Sequence, residues 1–478
     1  MGLPTTGLCY LPVMKKQVLF FVGLFCWVVS SNAQECIRLR ADRTQLPIIS
    51  RTVSIDRVAG DTVTAYANQE ELIALESLDY KYEKVVVPPS KDLPAMANSI
   101  DEMRQWNRYP TYETYLSMMQ MFADSFPTLC HIDTIGYSVN NRLILSAVLY
   151  DHTNPDSPQW PQFFYSSTMH GDEVTGYYLM IRLIDTLLNG FTSNAEFRQL
   201  LGSTQVYINP NANPDGTYYR NNNQISSYWQ GYSQRYNAND IDLNRNYPDP
   251  FGTPPMFDQQ RENTVMIDYL SNHRFKVSAN LHGGDQVLNY PWDSFTSQER
   301  PHPYEDWWQS VCKRFVDTCR LVKSNCFRGV NNAGYIAGGD WYVISNGRQD
   351  YVNYYNNCLE LTMELSSDKT PASSQLDSYW AYQHRALINY IKEVHNLPYG
   401  DNEVQITDSK SSITIFPNPT TDKVHLRGEI TTGIELLNPI GQTLAWFPNT
   451  RNTVDLSPLP QGIYFLRIDG QIHKIVKK

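Results

Sequence analysis

The stretch PQFFYSSTMHGDEVTGYYLMIRLIDTLL, residues 161–188, decides the fold class. Its first nine residues, 161–169, are rich in aromatic side chains and predict a β-strand. From residue 173 to residue 188, apolar residues recur every three or four positions, which predicts a helix. A strand that leads directly into a helix is typical of α/β proteins, and the polar segment HGDE, residues 170–173, lies at the junction.

Further strand-like and helix-like runs alternate on both sides of this stretch. They cover residues 204–208, 261–273, 275–281, 304–322, 358–365 and 375–394. This alternation predicts an α/β domain over residues 98–397, with a mixed, largely parallel sheet and helices on both faces.

Two shorter segments flank the predicted α/β domain. Residues 34–97 contain a strand-like run at 53–67 and a helical run at 70–78, and we interpret them as a prosegment-like region. Residues 398–411 are polar and predict a linker. Residues 412–478 predict a small all-β sandwich, because short strands at 423–426, 433–437, 453–456, 463–468 and 472–476 alternate with Asn, Pro and Gly turns.

The first 33 residues have the composition of a secretory signal peptide. Lys15 and Lys16 precede an apolar run at 18–29, and small residues end at Ala33, the expected cleavage site; Met14 is an alternative start. A membrane anchor is the competing interpretation, but the run is shorter than the roughly 20 residues that span a bilayer. The sequence therefore predicts an exported protein with no transmembrane segment.

Overall composition and charge exclude some classes of protein. Hydrophobic residues make up 41% and charged residues 18% of the chain, which argues against a largely disordered protein. Lys and Arg number 39 against 49 Asp and Glu, giving a net charge of −10. Nucleic acid is therefore not an expected partner, since nucleic-acid binders carry an excess of basic charge.

Six cysteines lie outside the predicted signal peptide. An exported protein permits disulfides, and the cluster Cys312, Cys319 and Cys326 is the expected place for one. The alternative is that cysteines such as Cys130 and Cys358 are buried and reduced. Because no CxxC pair exists, the sequence does not support a thiolate zinc site.

A candidate metal site begins in the HGDE segment. His170 and Glu173 are three positions apart at a strand-to-helix junction, close enough to bind one cation. Such a pair also arises by chance on solvated helix faces. His282 follows an apolar strand and precedes two glycines, although a histidine in that place can also be a satisfied core residue. Two imidazoles and a carboxylate, with one open position, are typical of catalytic zinc.

Two further segments carry side chains suited to peptide chemistry. Asn244 and Arg245 lie in a polar segment, where the guanidinium group could bind a carboxylate with two hydrogen bonds. Glu364 lies inside an apolar strand, where a carboxylate is costly unless it has a partner or a task. A general base acting on water beside a metal is such a task.

Taken together, these residues resemble the zinc metallocarboxypeptidases of the carboxypeptidase A and B superfamily. The matching elements are His170-x-x-Glu173, Asn244-Arg245, His282 and Glu364. The step of 109 positions from Glu173 to His282 resembles the regulatory branch, carboxypeptidases E, N, M and D. The segment GRQDYVNYYNNCLELTMEL, residues 347–365, resembles the same branch.

The resemblance implies a set of roles. His170, Glu173 and His282 would bind one Zn²⁺, and Asp242 would orient His170. Glu364 would be the general base, and Arg235 would polarise the scissile carbonyl. Asn244, Arg245 and Tyr342 would bind the terminal carboxylate of the substrate. Asp293 and Gln349 would select Lys or Arg as the residue released, although Asp293 could instead only cap a loop.

The end of the chain resembles a different family. ITIFPNP, residues 413–419, and LPQGIYF, residues 459–465, resemble the C-terminal sorting domains of the type IX secretion system of Bacteroidetes. Members of the regulatory branch instead carry a transthyretin-like domain after the catalytic domain. The alternative for these residues is a structural or carbohydrate-binding sandwich.

The sequence therefore predicts a secreted or cell-surface zinc metallocarboxypeptidase, exported through the periplasm. Its expected substrates are peptides or proteins with a free C-terminus, from which it would release Lys or Arg. Its other expected partner is the secretion machinery. The alternatives are a peptidase of the same fold that acts on cell-wall peptide stems and a non-catalytic peptide-binding protein.

Overall fold

The structure is a computed structural model that describes residues 35–42, 44–85, 93–227, 230–399, 414–427, 433–448, 453–468 and 471–478. The predicted signal peptide and most of the predicted linker lie outside these residues. In the described part of the chain, no helix combines the length and the apolar composition needed to span a membrane.

Residues 35–85, here called the N-terminal region, form an antiparallel sheet with two helices. The elements are β1 (Glu35–Arg40), α1 (Leu46–Thr52), β2 (Ser54–Ala59), β3 (Thr62–Ala67), α2 (Gln69–Ser77) and β4 (Tyr82–Lys84). The strand order is β2-β3-β1-β4. Ile37, Ile49 and Leu75 are fully buried in one core that joins the sheet to both helices. The strand-like run predicted at 53–67 is a hairpin that turns at Gly60, whose φ is +64°.

Residues 93–399, the middle region, contain the elements that carry the candidate site. They are β5 (Met96–Ala97), α3 (Ile100–Met103), β6 (Tyr109–Pro110), α4 (Tyr112–Ser125), β7 (Cys130–Tyr137), β8 (Leu143–Leu149), β9 (Gln162–Ser167), α5 (Thr175–Gly190), α6 (Ala195–Leu201), β10 (Gln205–Asn209), α7 (Pro214–Thr217), α8 (Arg261–Asn272), β11 (Phe275–His282), β12 (Gln286–Tyr290), α9 (Glu305–Arg320), β13 (Tyr335–Ala337), α10 (Gly338–Trp341), α11 (Arg348–Tyr355), β14 (Leu359–Leu365) and α12 (Leu376–Ile391).

Eight of these strands form one mixed sheet in the order β13-β12-β14-β11-β9-β10-β8-β7. The four central strands β14, β11, β9 and β10 are parallel, and β8 and β12 pair with them antiparallel. Along β9, Phe163 and Tyr165 pack into a core with α4, α5, α9 and α12, whereas Phe164 packs into a second core with α8 and α11. Helices therefore cover both faces, and the predicted α/β fold class is confirmed.

Residues 414–478, the C-terminal region, form two small antiparallel sheets. Their strands are β15 (Thr414–Phe416), β16 (Lys423–Arg427), β17 (Gly433–Leu437), β18 (Thr443–Pro448), β19 (Thr453–Asp455), β20 (Gly462–Ile468) and β21 (Gln471–Lys477). The orders are β15-β16-β19 and β18-β17-β20-β21. Val424 and Val454 of the first sheet share a core with Leu436 and Leu466 of the second. The sequence had not predicted β15 and β18.

The expected disulfide is not formed. All six cysteines in the described part of the chain are free and buried. Cys312 and Cys319 lie on α9, and they pack with Cys326 into the main hydrophobic core. Burial raises the pKa of the Cys130 thiol to about 12, as expected for an inert core thiol. The alternative of buried, reduced cysteines is therefore the correct one in this structure.

Candidate metal centre

Three side chains converge at the carboxyl ends of β9 and β11. His170 Nδ1 lies 3.0 Å from Glu173 Oε2 and 3.0 Å from His282 Nδ1, and Glu173 Oε2 lies 2.8 Å from His282 Nδ1. Four-coordinate zinc with bonds near 2.05 Å would place its ligand atoms about 3.3 Å apart. Two nitrogens and one carboxylate oxygen at these separations fit zinc, and no other such group occurs among the residues that the structure describes.

The turn between β9 and α5 places the first two of these side chains. Glu173 N donates to the His170 carbonyl at 3.1 Å, and Val174 N donates to the Lys369 carbonyl at 2.9 Å. The helix therefore begins at Thr175, two residues later than the sequence predicted. Gly171 packs against Gly216 so closely that a Cβ would lie 2.2 Å from the Gly216 carbonyl carbon, which explains why the turn needs glycine.

Asp242 holds the far side of the His170 ring. Its Oδ1 lies 3.1 Å from His170 Nε2 and also accepts a hydrogen bond from Asn244 N at 2.8 Å. Burial by itself would raise the pKa of the Asp242 carboxyl, but the charges of Arg235 and His170 hold it well below its usual range. An ionised Asp242 that accepts from Nε2 leaves Nδ1 of His170 free to bind a cation.

His282 has a different neighbour. Its Nε2 lies 2.8 Å from the side-chain nitrogen of Asn280, and Asn280 Oδ1 has no hydrogen-bond partner among the described residues. Burial lowers the pKa of His282 to about 4, so the imidazole is neutral at pH 7. For Nδ1 to bind a cation, Nε2 must carry the proton. Rotating the Asn280 amide by 180° exchanges its nitrogen and oxygen, so that Oδ1 accepts this proton.

The second carboxylate oxygen of Glu173, Oε1, contacts two positively charged side chains. Oε1 accepts from Arg235 Nη1 at 3.2 Å and from Lys369 Nζ at 3.1 Å. Although burial would raise it, the charges of His170 and Lys369 hold the pKa of Glu173 well below its usual range. The carboxylate is therefore ionised and available as a metal ligand.

Glu364 lies beside this cluster on β14. It is opposite His282 in the parallel pairing of β11 and β14, and its Oε2 has no hydrogen-bond partner among the described residues. Burial, followed by the negative charges of Glu173 and Asp285, raises the pKa of Glu364 well above its ordinary value. A carboxyl group with a raised pKa at the cavity wall is suited to accept and return a proton.

Arg245 presents one edge of its guanidinium group to the same cavity. Nη1 donates to the Asn244 carbonyl at 3.0 Å, whereas Nε and Nη2 are buried and lack a hydrogen-bond partner among the described residues. The Asn244 side chain accepts from Arg348 N at 2.9 Å. Tyr342 also lines the cavity, and it packs against the core of the N-terminal region.

Asp293 lines the cavity, and Gln349 lies behind it. Gln349 Nε2 donates to Asp293 Oδ1 at 2.8 Å, and its Oε1 accepts from Thr362 N at 2.7 Å, so both ends of the amide are used. Asp350 accepts from Asp293 N at 2.8 Å. Burial, followed by the charge of Asp350, raises the pKa of Asp293 well above its ordinary value, although Arg245 opposes the shift.

The N-terminal region forms part of the cavity wall. Ser54 Oγ bonds to Asp242 Oδ2 and accepts from Arg235 Nε at 3.0 Å. Asp56 pairs with Lys369 at 2.5 Å, and Ile55 and Asp56 line the cavity. The remaining volume of about 30 Å³ has room for about two water molecules.

The structure thus brings all eleven predicted site residues into or beside one cavity. Nine of them line it, whereas Asp242 and Gln349 support His170 and Asp293 from behind. Four further residues at the site were not predicted from the sequence: Ser54, Asp56, Lys369 and Asn280. Only Asn280 carried a signal, as a polar residue in the apolar run before His282.

Comparison with known proteins agrees with this geometry. Peptidase family M14, zinc carboxypeptidase, matches residues 115–386. Carboxypeptidase D from Mus musculus is 32% identical over 304 residues, which cover 60% of this chain and 21% of that protein. The catalytic chain of carboxypeptidase N from Homo sapiens is 31% identical over 322 residues, covering 60% of this chain and 69% of that protein. The match thus spans about a fifth of carboxypeptidase D.

A solved structure shows the same fold. Carboxypeptidase A from Helicoverpa armigera has a TM-score of 0.58 at 16% identity and covers 77% of this chain and 98% of that chain.

Residues 414–478 match the secretion system C-terminal sorting domain, which indicates secretion to the cell surface or the extracellular space. The family match covers more than half of the sequence and confirms the predicted resemblance. The chain belongs to the zinc carboxypeptidase family.

Proposed function

We propose that this protein is a secreted, zinc-dependent carboxypeptidase that removes the C-terminal residue from peptides. The observation that carries the proposal is the edge of Arg245, where Nε and Nη2 are buried in the cavity and have no hydrogen-bond partner in the described part of the chain. This edge matches the two oxygens of a carboxylate. Because His170, Glu173 and His282 line the same cavity, a substrate held by its terminal carboxylate would lie beside the metal site.

Each surrounding side chain has a task in this reaction. Zinc bound by His170, Glu173 and His282 supplies a Lewis acid for the scissile carbonyl. Glu364 takes a proton from the attacking water and returns it to the leaving amine. Arg235, which donates to Asp242 and Glu173 as well as to Ser54, polarises the scissile carbonyl. Asn244, Arg245 and Tyr342 bind the terminal carboxylate.

The same cavity favours a basic residue at the end of the substrate. Asp293 is a buried carboxyl beside the negative charge of Asp350, so a cationic side chain would stabilise its ionised form. An apolar side chain would leave that charge without a partner. Gln349 positions Asp293 through the hydrogen bond between its amide and Oδ1. We therefore expect release of Lys or Arg.

The proposal is tested on the full chain carrying a specific protease site within residues 86–92, cleaved before the assay. Matched peptides end in Arg, Lys, Phe or Leu, each with a free or an amidated terminus. We expect release of Arg and Lys from free termini only, loss of release with a chelator, and a fall of about 10²–10⁴ in kcat for Glu364→Gln. Glu299→Gln, at an exposed glutamate, is the matched control.

Each contrary result has its own meaning. Release of Phe or Leu instead of Arg would refute the proposed role of Asp293 in selecting basic residues, but it would remain consistent with zinc-dependent cleavage. Cleavage of amidated and free peptides at equal rates would refute a carboxypeptidase. Binding without release would favour a peptide-binding protein, and release from cell-wall peptide stems alone would favour the cell-wall alternative.

We further propose that residues 34–97 are a prosegment that keeps the protein latent. Ser54 forms hydrogen bonds with Asp242 and Arg235, and Asp56 forms an ion pair with Lys369. These contacts and the small cavity volume support the proposal. Activity on an Arg peptide is measured before and after cleavage within residues 86–92. We expect cleavage to increase the activity strongly. The uncleaved Ser54→Ala, Asp56→Ala double variant should be more active than the uncleaved wild type, but less active than the cleaved wild type. Equal activity before and after cleavage would refute latency.

We propose that the C-terminal region, joined by the linker at 398–411, carries the protein from the periplasm across the outer membrane. The support is the sorting-domain match over residues 414–478. Ending the chain before residue 412 in a host with the type IX system should leave the protein in the periplasm. Its unchanged appearance outside the cell would refute this route.

A further inference from the structure

Lys369 is held tightly at the border between the N-terminal and middle regions. Its ammonium group lies 2.5 Å from Asp56 Oδ1, 3.1 Å from Glu173 Oε1 and 5.0 Å from the centre of the Tyr66 ring. Only 12% of the Lys369 side chain is exposed. Asp56 and Tyr66 belong to the N-terminal region, whereas Glu173 belongs to the middle region, as does Asp172, whose charge also acts on the ammonium group.

The backbone fixes Lys369 independently of the N-terminal region. The Lys369 carbonyl accepts from Val174 N at 2.9 Å, and Thr370 Oγ1 donates to the Asp172 carbonyl at 2.8 Å. The side chain packs on Gly284, where a Cβ would lie 3.3 Å from Lys369 Cε. All these partners lie in the middle region, so we expect the ammonium group to stay near Glu173 when the N-terminal region leaves.

Lys369 also borders the route of a peptide. A peptide that reaches Arg245 must pass the metal ligands, and Lys369 contacts Glu173 and packs on Gly284, both of which line the cavity. Asp56 lines the cavity as well. An aspartate of the chain itself thus already pairs with Lys369 at the cavity wall.

We infer that Lys369 is a specificity-determining residue that binds an acidic side chain of the substrate, on the N-terminal side of the scissile bond. The inference rests on the proposed carboxypeptidase function and adds a second selection to that of the terminal residue. Asp56 acts as a stand-in for the substrate carboxylate. A partly buried ammonium group with its stem fixed by packing loses little freedom when it forms such a pair.

The test uses the full chain cleaved within residues 86–92 and peptides ending in the residue that it releases fastest. Asp or its isostere Asn is placed at each of the three positions before that residue. At one position we expect kcat/KM to be about tenfold higher for Asp, as for one charge-assisted hydrogen bond. The ratio should approach one in Lys369→Met, persist in Lys369→Arg and fall as salt is added. Lys313→Met, at an exposed lysine on α9, should keep the wild-type ratio.

Equal kcat/KM for Asp and Asn peptides at every position would overturn the inference, as would an Asp preference that survives in Lys369→Met. A wild-type ratio of one overturns the inference even if Lys369→Met does not fold, and Lys369→Arg then still tests whether the charge at this position carries a preference. Binding of the same labelled peptides to Glu364→Gln measures the preference without turnover. Preferential binding of the Asp peptide to this variant, together with no release from any peptide by the cleaved wild type, would contradict the proposed function and leave the role of Lys369 supported.

Discussion

At the scale of single residues, the two histidines of the metal centre differ in what supports them. His170 faces the ionised Asp242, whereas His282 faces the neutral amide of Asn280. An amide oxygen is a weaker acceptor than a carboxylate, but it is enough to fix which ring nitrogen carries the proton. The support of His282 therefore depends on one rotatable side chain.

Replacing Asn280 should weaken metal binding. We expect Asn280→Ala to lower zinc affinity about 10- to 100-fold, the usual effect of losing a partner of a metal-binding histidine. Competition with a coloured chelator measures the affinity, and zinc-dependent thermal stabilisation gives a second readout. Asn189→Ala, at an exposed asparagine, is the control. Equal affinities for Asn280→Ala and the wild type would show that His282 needs no support from this side chain.

His282 and Glu364 could be predicted from the sequence because each stands out from its surroundings, whereas Arg235, Tyr342, Asp293 and Gln349 were implied only by the family resemblance. His282 ends an apolar strand before two glycines, and Glu364 interrupts an apolar one. Lys369 and Asp56 could not be predicted, because each is an ordinary charged residue in its own segment. Their pairing joins positions more than 300 residues apart, and no local pattern encodes it.

At the scale of elements, the start of α2 contains a carboxyl group whose titration makes docking of the N-terminal region depend on pH. Asn68 Oδ1 accepts from Glu71 N at 2.9 Å, and Glu71 Oε2 accepts from Asn68 N at 2.8 Å, forming a capping box. Burial raises the pKa of Glu71 to about 7, and the charges of Asp242 and Glu70 add to the shift, although the Asn68 N–H opposes it. Asp242 belongs to the middle region and acts on Glu71 only while the two regions are in contact.

A carboxyl group whose pKa is raised by docking stabilises the docked state below its ordinary pKa, and this stability is lost as pH rises through the raised value. Asp242 raises the pKa only in the docked state, so we expect the cleaved N-terminal region to dissociate more readily as pH rises through the docked pKa of about 7. Glu71→Gln keeps the capping box and should flatten this dependence, whereas Glu83→Gln, at an exposed glutamate of the same region, should not. Size-exclusion chromatography across pH measures dissociation, and identical profiles for the two variants would contradict the prediction.

Elements with a clear pattern were predicted to within two or three residues, and those without one were missed. β9, β11 and β14 combine apolar runs with sharp polar ends. β18 is an edge strand, exposed at Leu444 and Trp446, so its sequence lacks the alternation of a half-buried strand. β8 is almost entirely buried and likewise has no alternation.

At the scale of the whole molecule, stability does not depend on cross-links among the described cysteines. All six are free and buried. We expect thermal unfolding to occur at the same temperature with and without a reductant. An alkylating reagent should label none of the six thiols in the native protein and all six in denaturant. A lower unfolding temperature in reductant would show that a disulfide forms.

The contact between the N-terminal region and the metal centre has a thermodynamic consequence. Ser54 reaches His170 through Asp242, and Asp56 reaches Glu173 through Lys369. Two events that share these intermediaries are energetically linked, and such linkage is reciprocal. If a bound metal changes the affinity of the N-terminal region for the middle region by some factor, docking of the N-terminal region changes the metal affinity by the same factor. If residues 34–97 act as the proposed prosegment, metal binding and dissociation of that prosegment are then coupled equilibria.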